Sequence, residues 1–187
     1  MNTSLSSLLQ LVCKPDNANH CFAIDVGAHY GEFAKFLIST NFFSQVISFE
    51  PNPESYTKLV NEVSSTDNCG YEAINSALSD ASGTLDLYCD EDTATASLLN
   101  YDSGYLNNGT ITKHAVPVST LDSYLSNHPV AGKLQLLKID TQGNDLSVIM
   151  GGGVRSQRIA RLFKPNSFIL PCMKANVRRQ NYQKHFF

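Results

Sequence analysis

This chain lacks the marks of several protein classes at once. Its 14 Lys and Arg against 17 Asp and Glu leave a formal charge of -3, so there is no basic field to draw in a nucleic acid. The one basic cluster, Lys174 to Lys184, reads equally as a solvated tail. The five cysteines, Cys13, Cys21, Cys69, Cys89 and Cys172, include no C-x-x-C pair. That argues against a zinc site or a disulfide framework and for reduced thiols in the cytoplasm. No apolar run approaches the ~20 residues a membrane span needs. Residues 5–12 are partly apolar but carry no basic flank and no small-residue cleavage site. The expectation there is an amphipathic helix, not a signal peptide. At 187 residues the chain is long enough to bury a substantial core.

What is present is a corner. Phe22 to Ile24 is an apolar run that ends in Asp25, and Gly27 and Gly31 follow four positions apart. Phe33, Ala34, Phe36 and Leu37 then fall at helical spacing. Strand, glycine turn and helix in that order make the nucleotide-binding corner of an open α/β sheet. Backbone approaches a cofactor closely only where no Cβ intrudes.

The rest of the chain continues the alternation. The pattern predicts strands at 21–25, 45–50, 71–78, 84–89, 115–118 and 133–140, and helices at 4–13, 32–40, 53–63, 120–125 and 144–150. Pro117 puts its strand at a sheet edge, since proline donates nothing to a ladder. Residues 90–110 are polar and read as a long surface loop. Strands alternating with helices define an α/β class with three layers and an open, mostly parallel sheet. From Val154 the pattern breaks down, and Pro171 cuts the weak apolar run Ser167 to Leu170.

Three predicted strands end in an acid: Asp25, Glu50 and Asp140. Ligands of open α/β sheets bind at those ends. A dinucleotide site wants G-x-G-x-x-G; here one glycine is missing, and carboxylates would repel a pyrophosphate. A nicotinamide-dependent oxidoreductase is therefore disfavoured. S-adenosylmethionine, with its sulfonium, ammonium and ribose diol, suits the same acids better. Glu50 lies 19 residues after Gly31, near the distance expected of an acid that takes a ribose diol. Asp25 then holds the methionine ammonium. Plainer readings stand beside these: a structural turn at Gly27 and Gly31, a helix cap at Asp25, and a solvated strand end at Glu50.

The motifs resemble those of the FkbM-type methyltransferases. Asp25-Val26-Gly27-Ala28-His29-Tyr30-Gly31 resembles the family's first motif, where asparagine is more usual than His29. Phe49-Glu50-Pro51-Asn52-Pro53 resembles its Phe-Glu-Pro segment. Ala77-Leu78-Ser79-Asp80 with Gly83 and Leu85 resembles its third-strand turn, and Val118 with Thr120-Leu121-Asp122 a later segment. Lys138-Ile139-Asp140-x-x-Gly143 resembles its Lys-Ile-Asp-x-Glu-Gly motif. The resemblance covers about residues 20–153 and leaves 154–187 as a divergent tail.

It implies a Rossmann-like class I methyltransferase fold, incomplete at the C-terminus unless the tail completes the sheet in an unusual way. It implies O-methyl transfer from S-adenosylmethionine to a hydroxyl of a sugar, glycan or other small molecule. Its cofactor site carries over to Asp25, Gly27, Ala28, Gly31, Glu50, Asn52, Ala77 and Asp80, although Asp80 also suits a simple turn. Gln142 replaces the family's glutamate, and Asp145 a later one. An aliphatic hydroxyl loses its proton as it attacks, and Asp140 is the candidate base, with helix capping its plainer role. No third ligand accompanies Asp140 and Asp145 for a metal. The alternative function is an impaired or truncated methyltransferase-like binding protein.

Overall fold

The computed structural model describes residues 21–63, 70–89, 96–99 and 111–153, with the backbone of two further strands at 162–164 and 167–171. The helix expected at 4–13, the basic cluster and most of the 90–110 loop lie outside the described residues.

The sheet is built around β1 (Cys21–Val26). It pairs in parallel with β2 (Gln45–Phe49) on one side and β7 (Lys133–Ile139) on the other. Beyond β2 lies β3 (Gly70–Ile74), also parallel. Beyond β7 come β9 (Ser167–Pro171) and then β8 (Leu162–Lys164), both antiparallel to their neighbours. The strands at 162–164 and 167–171 thus extend the sheet beyond β7.

Side chains alternate between the faces of a strand, and this divides the core in two. On one face Ala23, Val46 and Leu136 pack with Ala34, Leu37 and Ile38 of α1 (Glu32–Ser39) and with Leu59 and Val63 of α2 (Pro53–Val63). On the other, Ile24, Ile47 and Leu137 pack with Leu121, Tyr124 and Leu125 of α3 (Leu121–Asn127) and with Val148 of α4 (Asp145–Gly151). The result is the expected three-layer α/β architecture. Short helices at this spacing hold because the core covers their apolar stripes, and side chains cap the starts of α2 and α3. Thr120 accepts from the Ser123 N–H at 3.0 Å to start α3. Among the described residues no helix is long and apolar enough to cross a membrane.

Two expectations change. The strand predicted at 71–78 is two strands. After β3 the chain breaks at Asn75, whose side-chain amide donates to the Glu50 and Pro51 carbonyls at 2.8 and 3.2 Å. It resumes as β4 (Ala77–Leu78) in a separate sheet. There β6 (Thr112–Ser119) lies between β4 and β5 (Gly83–Cys89). The strand with Pro117 is therefore central, not an edge. The proline is tolerated because β4 pairs only with Val118 and Ser119, and the Ser76 hydroxyl donates to the Pro117 carbonyl at 2.9 Å.

Candidate cofactor cleft

Strand register decides what each acid can reach. Asp25 stands level with Ser48 of β2 and Lys138 of β7, on the face that packs against α1 and α2. It is inside β1, two residues short of the level that Glu50 and Asp140 occupy; Gly27 holds that level on β1. The carboxylate of Asp25 is fully buried and pairs with Lys138 Nζ at 2.9 Å. Burial raises its pKa, and Lys138 opposes the rise.

At the tips of β1, β2 and β7 the chain makes a cleft. Val26, Gly27, His29, Phe49, Glu50 and Asp140 line its floor and near wall. Ala77, Leu78, Leu87 and Leu98 supply an apolar side, and Thr141, Gln142 and Asn144 a polar one. The space between these walls is about 530 Å³ when the part open to solvent is included.

The bend from Gly27 to Gly31 holds the cleft open. Gly27 and Ala28 both donate to the Phe49 carbonyl, at 2.9 and 3.1 Å. Gly27 has φ +74, and a Cβ there would stand 2.0 Å from the Asp140 carbonyl oxygen, so β7 leaves room only for glycine. Next in the bend, His29 takes a left-handed φ of 50. That aims its N–H at Glu50 Oε2, 2.7 Å away. The other Glu50 oxygen, Oε1, accepts from the Asn52 N–H at 2.9 Å. Glu50 is 6% exposed, and burial pushes its carboxyl up to about 7 against these two donors, which lower it.

The structure gathers Gly27, Glu50, Ala77 and Asp140 around this cleft. The other expected residues stand elsewhere. Ala28 is in the core beneath the bend. Gly31, at φ +88, sits against Leu59 and Val63, where a Cβ would meet both at 2.7 Å. Asn52 caps α2, its Oδ1 accepting from the Glu54 and Ser55 N–H groups at 2.9 and 3.3 Å. Asp80 is exposed in the turn before β5, where its Oδ1 accepts from the Ser79 hydroxyl at 3.1 Å.

Sequence reasoning missed His29 as the donor to Glu50, because a backbone N–H leaves no trace in residue type. It also missed Lys138. The signal was present: three neighbouring strands each carry a polar residue, Asp25, Ser48 and Lys138, two before the tip.

The Asp140 side is held by its own loop. Gln142 Nε2 donates to Asp140 Oδ1 at 3.2 Å, and the Thr141 N–H and hydroxyl donate to Asp145 Oδ1 at 2.9 and 2.6 Å. Asn144 ties this loop to the second sheet by donating to the Leu78 carbonyl at 2.9 Å. Ser97 ties in the 96–99 segment through the Gln142 carbonyl at 2.8 Å. Among the described residues no set of three His, Cys, Asp or Glu side chains is placed to hold a metal.

An open, mostly parallel sheet with a bare bend and a buried acid at adjacent strand tips is a Rossmann-like architecture. The chain belongs to the methyltransferase FkbM domain family, which matches residues 25–171. Among solved structures it is similar to the methyltransferase FkbM of Methylobacillus flagellatus KT, at 14% identity and a TM-score of 0.43 over 72% of this chain; it spans 29% of that protein's length. An uncharacterized protein from Listeria monocytogenes serotype 4b is 11% identical, with a TM-score of 0.39 over 95% of this chain and 72% of its own. A protein of the NADB-Rossmann superfamily from Streptococcus agalactiae is 12% identical, with a TM-score of 0.37 over 95% of this chain and 73% of its own. No curated protein matches the chain.

Proposed function

We propose that the protein is an S-adenosylmethionine-dependent methyltransferase that methylates a hydroxyl of a sugar, glycan or other small molecule, acting in the cytoplasm. The observation that carries this reading is the setting of Glu50. Each of its carboxylate oxygens accepts one backbone N–H. A carboxylate oxygen has two lone pairs, so each keeps one to accept a hydroxyl. Two adjacent acceptors on a cleft wall suit the vicinal diol of a ribose.

The residues present fit the cofactor in other respects. The apolar side made by Ala77, Leu78, Leu87 and Leu98 suits a purine face. The bend at Gly27 offers bare backbone, and Asp140 is the second carboxylate on the cleft, a counter-charge for a cationic ligand. Bound there, the cofactor would supply an electrophilic methyl group on sulfur.

The chain's own part is binding, orientation and a proton. Asp140 takes the proton of the acceptor hydroxyl, and Gln142 steadies Asp140 through Oδ1. Holding the acceptor oxygen in line supplies much of the acceleration, because orientation turns an encounter into a unimolecular step. One observation favours the second reading, a binding protein without catalysis. Gln142 is neutral where the family resemblance expects glutamate, so the loop carries one charge less beside Asp140.

Calorimetry with S-adenosylhomocysteine and methyl transfer to a panel of sugar and small-hydroxyl acceptors separate the readings. Binding with turnover supports the enzyme, and binding without turnover on any acceptor supports the second reading. A folded protein that binds nothing rejects both.

A further inference from the structure

Lys138 makes contacts that a simple ion pair does not need. Its Nζ is 2.9 Å from Asp25 Oδ1 and donates to the Gly27 carbonyl at 2.7 Å. It also lies 5.9 Å from the centre of the Phe33 ring, with its side chain 10% exposed. A buried ion pair flanked by apolar residues is weak evidence for stability, since well-packed apolar groups often replace it at no cost. The second contact is the informative one. The left-handed φ of Gly27 leaves the Gly27 carbonyl facing the α1 side of the sheet, where β7 brings the Lys138 ammonium to it. A buried carbonyl needs a donor.

From that carbonyl the bend runs directly to His29, whose N–H holds Glu50 Oε2 at 2.7 Å. Lys138 therefore sits behind the cofactor wall, two residues along the chain from the donor that aims Glu50. Asp25 lines none of the cleft. Its position level with Lys138 gives it another role, that of neutralising the ammonium so that the cation can be buried. By hydrogen-bond geometry neither Asp25 oxygen has a donor among the described residues, so the 2.9 Å contact with Lys138 acts as charge pairing.

We propose that Lys138 is a positioning residue for the cofactor site, clamping the Gly27 bend so that His29 holds Glu50, and that Asp25 is its counter-ion and does not touch the cofactor. This rests on the reading of the cleft as a cofactor site.

The test compares wild type, Asp25→Asn and the double variant Asp25→Asn/Lys138→Met. Lys138→Met alone would strand a buried carboxylate and invite unfolding; the double variant removes both charges. Asp25→Asn loses the counter-charge but keeps an amide oxygen beside Lys138, so in folded protein the Lys138 bond to Gly27 stays and S-adenosylhomocysteine binds within about threefold of wild type, whereas the folded double variant binds about tenfold or more weakly. In turnover the double variant raises the cofactor KM far more than it lowers kcat. Equal binding by double and single variants overturns the proposal. So does a loss of binding beyond about tenfold in folded Asp25→Asn, which would make Asp25 a ligand. If wild type does not bind, the functional reading fails, and amide exchange in the unliganded protein decides this one separately. Faster exchange of the His29 amide in the double variant than in Asp25→Asn supports the clamp, and equal exchange refutes it.

Discussion

The His29 backbone N–H donates to Glu50 Oε2 at 2.7 Å, joining the bend after β1 to the tip of β2. Most of the functional reading depends on this bond. It fixes a buried acid on the cleft wall.

Replacing Glu50 by alanine removes the two acceptors that would take a diol. Hydrogen bonds to a charged group are each worth about 1.5–3 kcal/mol, so losing two should weaken binding of S-adenosylhomocysteine by about 3–6 kcal/mol, on the order of 10²- to 10⁴-fold. Calorimetry reads this, with circular dichroism as a check that the variant folds. Undiminished binding would remove Glu50 from the site.

The elevated Glu50 pKa makes a prediction with a definite sign. Folding raises it from 4.5 to about 7. Between those values the native protein holds a proton that the unfolded chain has released. Its contribution to stability is therefore most favourable below pH 4.5, declines through that window and is level above 7. A diol donates to the ionised form, so affinity should rise with pH and flatten above 7, with a slope approaching about tenfold per unit below it. Calorimetry between about pH 5.5 and 8 tests this. Glu50→Gln should abolish the slope, and a flat profile in wild type would contradict the assignment.

The two glycines of the bend should differ in cost. Gly27→Ala places a Cβ 2.0 Å from the Asp140 carbonyl, backbone directly after β7, which cannot yield without shifting the end of the strand. Gly31→Ala meets the ends of the Leu59 and Val63 side chains at 2.7 Å, which can rotate away in part. Both positions also carry positive φ strain, of order 1–2 kcal/mol. Thermal unfolding should show a loss of about 3 kcal/mol or more for Gly27→Ala and about 1–3 kcal/mol for Gly31→Ala. The reverse order would contradict the packing described.

Asp140→Asn keeps an oxygen for Gln142 but cannot take a proton. Turnover should fall by about 10²–10⁴, the usual worth of a general base, while S-adenosylhomocysteine binding changes by only a few-fold. An unaltered kcat would leave Asp140 a structural role only.

Much of the fold was legible because alternation is local information. The β1–α1 corner, the Thr120 cap and the parallel strands at 45–50 and 133–140 all follow from spacing and cap chemistry within a few residues. The strand at 71–78 misled because apolar residues resume at Ala77 and Leu78 straight after Asn75 and Ser76. The break there comes from hydrogen bonds to Glu50 and Pro51, more than twenty residues away in sequence. Pro117 misled in the opposite direction. Proline is excluded from a central strand only where a ladder bond is required, and the shortness of β4 removes the requirement.

The sequence by itself determined the class of fold, the bare bend at Gly27 and the acids at the tips of β2 and β7, because these depend on residue type and local spacing. Only the tertiary structure decided that Asp25 faces Lys138 while Glu50 and Asp140 face the cleft. Side chains alternate along a strand and strands align by register. An acid two residues short of the tip is therefore buried in the sheet, and one past the tip is presented to a ligand.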